Sequence, residues 1–247
     1  MTVVPIVLEL VQPRSVVDIG CGLGEWLAAF QEYGVDDILG IDGDYIDRSM
    51  LYIPQENLKT FDLNKPFILN RTFDLAVCLE VAEHLEPENA SGFIRSLTQL
   101  APVVLFSAAI PLQGGTHHVN EQWPDYWVQK FRTWGFMPVD AIRKRIWSNP
   151  DIRIFYRQNT MFFCTEQILT NNSSLAKEFR ETNQDMLSIV HPEQYFISLK
   201  DHSPVGQLRS IVRKIPLAKK IYQILREKRF APDDARGPLH KTTARGE

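Results

Sequence analysis

Two hydrophobic periodicities alternate along the first two thirds of the chain. Short apolar, β-branched runs predict buried strands at residues 15–19, 38–41, 73–79 and 103–110. Apolar positions three or four residues apart predict helices at 25–33, 89–100 and 122–134. Two further runs, 137–147 and 152–164, are predicted to be strands joined by a Ser-Asn-Pro-Asp turn. This order indicates an α/β fold: a doubly wound, mostly parallel sheet with an antiparallel edge hairpin.

The remainder of the chain has a different character. We expect a main domain at residues 1–165, a helical extension with a basic amphipathic arm at 166–230, and a disordered tail at 231–247. Residues 206–230 carry eight basic groups and one acidic group, whereas the first 205 residues carry 16 basic and 26 acidic groups. The arm could contact an anionic membrane surface or fold onto the acidic body. Nucleic acid is not expected as a partner, because the arm lacks an aromatic stacking platform.

Cysteine content and hydropathy indicate a cytoplasmic protein. Cys21, Cys78 and Cys164 are odd in number and widely separated, which excludes a disulfide scaffold and a cysteine-rich zinc site. The uncharged run 96–116 contains prolines and glycines that argue against a membrane-spanning helix, and the first residues do not read as a signal peptide. The protein is therefore expected in the cytoplasm, or peripherally at the inner face of the membrane through its arm.

A glycine-rich loop follows the first predicted strand. Residues 18–24 read D-I-G-C-G-L-G and lead directly into a helix. Glycines there let the backbone approach a ligand closely, although they could also serve only a tight turn. The spacing differs from the G-x-G-x-x-G of dinucleotide sites, and Asp18 would repel a pyrophosphate but attract an ammonium or sulfonium group. This disfavours a nicotinamide cofactor.

On this loop and three downstream acidic positions, residues 1–165 resemble the class I S-adenosylmethionine-dependent methyltransferases. The resemblance implies a Rossmann-like methyltransferase fold and S-adenosylmethionine as cofactor. It also implies the cofactor-binding positions, from the methionine end through the ribose to the adenine: Asp18, Gly20, Gly22, Gly24, Leu79 and Glu80, then Asp42 with Gly43, then Asp62 with Leu63.

Two carboxylates and two imidazoles follow consecutive strands. If Glu80, Glu83 and His84 begin a helix, their side chains share one face, and His118 lies in the loop after the next strand. Such a set suits Zn²⁺, Mn²⁺ or Fe²⁺ and is tolerable for Mg²⁺. It is similar to the E-x-x-E-H plus downstream histidine site of small-RNA 2′-O-methyltransferases. The alternative is a metal-free site in which His118 or His117 is the general base.

The acceptor is suggested by a second resemblance. The stretch H-H-V-N-E-Q-W-P-D-Y-W at 117–127 and the basic tail are similar to bacterial methyltransferases associated with surface-glycan assembly. This implies O-methylation of a hydroxyl on a saccharide or small polar metabolite. Tyr126, in the aromatic segment that follows the histidines, is the candidate for lining the acceptor pocket, whereas Trp127, Phe131 and Trp134 have the spacing of a core-facing helix side. An N-methyltransferase, a phosphorylated acceptor and a non-catalytic scaffold in a biosynthetic complex are the alternatives. The sequence does not predict the oligomeric state.

Overall fold

One mixed sheet organises the computed structural model, which describes residues 2–201 and residue 203. The described strands are β1 Ser15–Ile19, β2 Asp37–Asp42, β3 Leu58–Thr60, β4 Leu75–Leu79, β5 Val103–Ser107, β6 Phe136–Val139 and β7 Met161–Thr165. Their spatial order is β3-β2-β1-β4-β5-β7-β6. The first five pair in parallel, and β7 runs antiparallel to both β5 and β6. The predicted doubly wound sheet with an antiparallel edge pair is confirmed.

Helices cover both faces of the sheet. Their bounds are α1 Val3–Val11, α2 Glu25–Glu32, α3 Ala90–Leu100, α4 Pro124–Arg132, α5 Arg143–Ile146, α6 Ile154–Asn159, α7 Glu166–Asn171, α8 Ser173–Glu181 and α9 Pro192–Asp201. Successive strand residues point to opposite faces, so β4 contributes Ala76 and Cys78 to one core cluster and Val77 to the other. The first cluster contains side chains of α3 and α4, and the second contains those of α1, α2 and α8.

The edge connection differs from the prediction. Residues 137–147 and 152–164 were expected to be two strands joined by a tight turn, but α5 and α6 lie between β6 and β7 instead. Buried polar contacts outweigh the strand-like composition: the Arg157 side chain donates to the carbonyls of Ile152 and Trp147, at 2.9 and 3.3 Å. These bonds draw the chain back on itself between β6 and β7, so the predicted tight turn is wrong although the antiparallel edge pair is correct. Helix α1 and strand β3 were not predicted.

The chain divides into two units, Met1–Ser198 and Leu199–Glu247. In the second unit the structure describes only residues 199–201, which end α9, and Ser203. The predicted basic arm at 206–230 and the predicted disordered tail at 231–247 lie outside the described residues. Within the described part, no helix has the length and apolar character needed to cross a bilayer.

The topology fixes where a ligand can bind. Strand order reverses between β1 and β4, and the carboxyl ends of the parallel strands meet at one edge. In such sheets the crevice at this switch point is the usual binding site. Gly20, Asp42, Glu80 and Ser107 stand at the ends of β1, β2, β4 and β5, so most of the predicted site residues gather at this edge.

Candidate active site

The glycine loop requires glycine at three positions. Gly20, Gly22 and Gly24 have φ values of 76°, 54° and 84°, in the left-handed region. A Cβ on Gly20 would lie 2.4 Å from a Val81 methyl group, and one on Gly24 would lie 2.8 Å from Ile53. Above Gly22 there is open space. The loop is therefore packed tightly against its neighbours at both ends and is open at its middle glycine.

Asp42 is the anchor of this region. It is buried, and its Oδ2 accepts a hydrogen bond from the Gly22 amide at 2.7 Å. Its Oδ1 accepts from the Gly43 amide at 2.7 Å and from the Tyr45 hydroxyl at 2.5 Å. One carboxylate thus ties the glycine loop to the end of β2 and also holds a hydroxyl group.

Asp18 is a second buried carboxylate, on β1. It is 2% exposed, and its Oδ2 has no hydrogen-bond partner among the described residues. Burial, with a smaller contribution from the negative charge of Asp42, raises the pKa of Asp18 to about 8. An unpartnered buried carboxylate is unfavourable in its charged form, so a cationic group placed beside it would be stabilised.

A cavity of about 830 Å³ opens along the ends of β1, β2 and β4. Among the residues predicted to bind the cofactor, it is lined by Gly20, Asp42, Gly43, Asp62, Leu63 and Glu80. Asp18, Gly22, Gly24 and Leu79 do not line it and lie in the strands and loop behind it. His84 and His117 also border the cavity, at the end where Glu80 stands.

Glu80 takes an unusual backbone conformation, with φ 57°, directly after β4. Its amide donates to the Ser107 hydroxyl at 3.0 Å. Its carboxylate accepts from the side-chain amides of Asn159, at 3.0 Å, and Gln113, at 2.7 Å. Burial raises its pKa, and these hydrogen bonds partly offset that effect. A positive φ at a residue other than glycine is strained, so the surrounding hydrogen bonds must hold Glu80 in this conformation.

Glu83 is completely buried in a 3₁₀ turn, Ala82–His84. Neither carboxylate oxygen has a hydrogen-bond partner of acceptable geometry among the described residues, although the backbone amides of Glu83 and Ala109 are near enough to favour the charged form. Burial and the neighbouring charge of Glu80 prevail and raise the pKa of Glu83 to about 8. The carbonyl of Glu83 accepts from the amides of Val119 and Asn120, which brings the histidine loop alongside.

Three of the four predicted metal ligands converge. One ligand atom from each of Glu83, His84 and His118 lies within 4.8 Å of the other two, and the two imidazole rings are 4.9 Å apart. His118 Nε2 lies 4.0 Å from Glu83 Oε1. Glu80 is not in this group. The chain forms a 3₁₀ turn here, whereas an α-helical start would place the side chains of Glu80, Glu83 and His84 on one face. The Glu80 carboxylate instead accepts hydrogen bonds from Asn159 and Gln113.

Each imidazole in the cluster is oriented through its other nitrogen. His118 Nδ1 lies 2.9 Å from Glu121 Oε1, and His84 Nδ1 lies 3.3 Å from the carbonyl of His117. When both Nδ1 atoms donate, both Nε2 atoms keep free lone pairs. Glu121 also accepts from the amides of Leu112 and Gly114, each at 2.8 Å. A carboxylate behind a ligating histidine is a common support of metal sites.

His117 and Tyr126 lie in different surroundings. His117 is exposed, has φ 60° and lines the cofactor cavity. Tyr126 does not line the cavity; its ring meets Trp127 edge to face, and the Lys130 ammonium lies 4.4 Å from its centroid. Its role in acceptor binding stays a prediction.

Sequence reasoning missed Gln113, Asn159, Glu121 and Tyr45. Glu121 had a local signal, since it follows His118 by three residues. Tyr45 likewise stands three residues after Asp42. Asn159 had none, because it is 79 residues from Glu80 in the chain and reaches it only through α6.

The chain is similar to known proteins in sequence and in structure. Residues 3–149 match the sequence model of a family described as "Methyltransferase domain". None of the curated proteins compared with the chain matches it.

Solved structures share the architecture. The sugar N-methyltransferase KedS8 from a Streptoalloteichus species is 15% identical over 66% of this chain and 85% of its own, with a TM-score of 0.52. The methyltransferase domain of bacterial CtHen1 is 20% identical over 66% of this chain and 95% of its own, with a TM-score of 0.49. Magnesium protoporphyrin IX methyltransferase from Synechocystis, with bound SAH, is 20% identical over 66% and 78%, with a TM-score of 0.44. At these identities the likeness concerns the fold.

Proposed function

This chain belongs to the methyltransferase domain family and is an S-adenosylmethionine-dependent methyltransferase, and we propose that it methylates a hydroxyl of a saccharide or comparable small polar metabolite with the help of a divalent metal. The observation that carries the proposal is the fully buried, unpartnered Glu83 carboxylate beside His84 and His118. The similarity of residues 117–127 to glycan-associated methyltransferases supports the acceptor class.

The cavity suits the cofactor along its length. Asp42 Oδ1 already accepts a hydrogen bond from the Tyr45 hydroxyl, so the same oxygen is suited to accept one from a ribose hydroxyl. Asp62 and Leu63 line the cavity beyond it and would contact the adenine. At the other end, the unpartnered Asp18 and the cavity-lining Glu80 would attract the methionine ammonium group. The cofactor supplies a methyl group whose leaving group is a neutral thioether, so the reaction needs no general acid.

The cluster suits a divalent metal by its donors. Glu83, His84 and His118 would hold it through one carboxylate and two imidazoles, a set that favours Zn²⁺, Mn²⁺ or Fe²⁺ over Mg²⁺. Three protein ligands leave coordination positions for an acceptor. A bound metal would lower the pKa of a coordinated hydroxyl. The cation would also stabilise the charged form of the buried Glu83 carboxylate, whose oxygens have no hydrogen-bond partner of acceptable geometry among the described residues.

The remaining polar groups would orient the site's side chains and remove the proton of the acceptor hydroxyl. Glu121 and the His117 carbonyl fix the two imidazoles so that both Nε2 atoms are free. The exposed His117 ring borders the same cavity, which supports its proposed role in accepting the acceptor's proton. Asn159 and Gln113 fix the Glu80 carboxylate next to the methionine end. Positioning of this kind supplies much of the rate in a displacement that needs only alignment and proton removal.

Chelation tests the proposal directly. Exhaustive treatment with a chelator should abolish transfer of a labelled methyl group to a saccharide acceptor, and added Mn²⁺ should restore it. Cofactor affinity, measured by calorimetry with S-adenosylhomocysteine, should remain nearly unchanged, because the metal ligands other than the adjacent His84 lie outside the cofactor cavity. Glu83→Ala should imitate the chelator, since removal of one ligand from an open site costs much of the metal affinity.

Glu86→Ala is the matched control, because Glu86 is exposed and lies just beyond the 3₁₀ turn of Glu83. It should behave as the parent protein in both assays. Methyl transfer that survives chelation refutes the proposed need for a metal and leaves His118 as a metal-free general base. Transfer to an amine but not to a hydroxyl refutes O-methylation.

A further inference from the structure

A second cavity, of about 480 Å³, lies beside the start of α2 and shares no lining residue with the cofactor cavity. Trp26 and Tyr156 form its wall, and their rings meet edge to face with centroids 5.3 Å apart. Glu25, Asp151 and Arg153 bring charged groups to its rim. The volume is in the range of sites that hold small organic ligands.

Helix α6 connects this cavity to the reacting end of the cofactor site. Tyr156 and Asn159 are three residues apart and therefore lie on the same side of the helix. Asn159 donates to the Glu80 carboxylate at 3.0 Å. Burial raises the pKa of Tyr156, a hydrogen bond with Trp26 lowers it, and the charges of Glu80 and Asp18 raise it further. The Tyr156 hydroxyl thus lies within electrostatic reach of both carboxylates at the methionine end.

The aromatic and charged side chains that line the second cavity are suited to a sugar. Aromatic rings present apolar faces to the C–H groups of a sugar ring, and carboxylate and guanidinium groups hydrogen bond to its hydroxyls. Glu25 and Asp151 outnumber Arg153, so the cavity has a net negative charge that disfavours a phosphate. We propose that this cavity binds a neutral, unphosphorylated sugar unit of the acceptor, next to the unit that is methylated. The inference rests on the proposed O-methylation and narrows its substrate.

Saturation-transfer NMR on the full chain with S-adenosylhomocysteine tests the site without requiring catalysis. The probes are methyl glycosides of mannose, galactose and rhamnose, compared with mannose 6-phosphate and galactose 6-phosphate. Neutral glycosides should bind and the phosphates should not. Trp26→Ala should weaken glycoside binding about tenfold, as expected for loss of one aromatic contact. Asp151→Lys, at an exposed position, should admit the sugar phosphates.

Two variants guard against misfolding. Trp26→Phe keeps an aromatic face and should retain most of the binding, and Trp134→Ala removes an exposed indole outside both cavities and should change nothing. The site is refuted by wild-type protein that binds no glycoside, by equal binding in Trp26→Ala, or by stronger binding of the phosphates. A loss of S-adenosylhomocysteine affinity in Arg153→Ala would assign the cavity to the cofactor and also refute it. Glycoside binding by a protein that transfers no methyl group to any saccharide in the labelled-cofactor assay would instead refute the proposed reaction and leave this site standing.

Discussion

Replacing Glu121 by Gln tests whether the histidine loop is built around a metal. Glu121 accepts three hydrogen bonds, from the amides of Leu112 and Gly114 and from His118 Nδ1. Gln has the same shape but only one accepting oxygen, so its NH₂ group must face at least one of these donors. If the NH₂ group replaces Oε2, the Leu112 amide loses its acceptor; if it replaces Oε1, the Gly114 amide and the imidazole lose theirs. The fold should survive, because the Glu121 side chain is only partly buried at the surface of the loop.

The expected size of the effect follows from the bonds that are lost. A hydrogen bond to a charged acceptor contributes about 1.5–3 kcal/mol, and removal of the carboxylate behind a ligating histidine costs about 10–100-fold in metal affinity. The loop also contains Leu112 and His117 at positive φ, 68° and 60°, which require such support. We therefore expect Glu121→Gln to weaken metal binding about 10–100-fold and to leave cofactor binding within about twofold, because Glu121 does not line the cofactor cavity.

Calorimetric titration of Mn²⁺ or Zn²⁺ into the metal-stripped protein measures the first quantity, and titration of S-adenosylhomocysteine measures the second. Glu88→Gln is the matched control, since Glu88 is exposed in the short turn Pro87–Asn89. Unchanged metal affinity in Glu121→Gln would refute the supporting role. An equal loss of metal and cofactor affinity would mean that Glu121 stabilises the whole edge of the sheet rather than the histidine.

Two further predictions concern the buried aspartates. Asp42→Ala should weaken S-adenosylhomocysteine binding by about 10–100-fold in calorimetry, since each charge-assisted bond contributes about 1.5–3 kcal/mol, whereas the exposed Asp36→Ala should not; equal affinities would contradict the ribose assignment. Asp18 has its pKa raised from 3.8 to about 8, so the folded, cofactor-free protein binds an extra proton between these values and loses stability as pH rises through them. Asp18→Asn should remove this loss, so its advantage over the parent in urea unfolding should grow from about pH 5 to about pH 8, and a pH-independent difference would contradict it.

The grouping of the predicted cofactor-binding positions at one edge of the sheet followed from the sequence because its signals are local. The loop at Gly20–Gly24 and the acid at Asp42 each stand at the end of a strand, and parallel strands bring those ends together whatever the helices do. Register did not need to be known, since β1 and β2 pair directly and end at the same edge. The tight turn predicted at the sheet edge was wrong for the opposite reason: helices α5 and α6 and the segment between them are held by the buried contacts of Arg157, which composition does not reveal.

The cluster of Glu83, His84 and His118 was predicted from the sequence, but Glu80 was wrongly included in it. His118 was placed correctly beside Glu83 and His84 because the loop after β5 must pass the end of β4. Glu80 was included on the assumption of an α-helical start, where positions i, i+3 and i+4 share a face. The positive φ of Glu80 and the 3₁₀ turn that follows separate its carboxylate from the other three side chains. Backbone conformation at a single residue therefore decided which of the four side chains converge.

The two carboxylates after β4 lie in different surroundings. Glu80 receives hydrogen bonds from Asn159 and Gln113, groups brought from distant elements, which favour its charged form against the effect of burial. Glu83, three residues later, is fully buried and has no such partner among the described residues. A buried carboxylate without a partner favours its neutral form until a cation is placed beside it. A metal of the kind proposed above would accept the Nε2 lone pairs of His84 and His118 as well as the Glu83 carboxylate, which an amine would not.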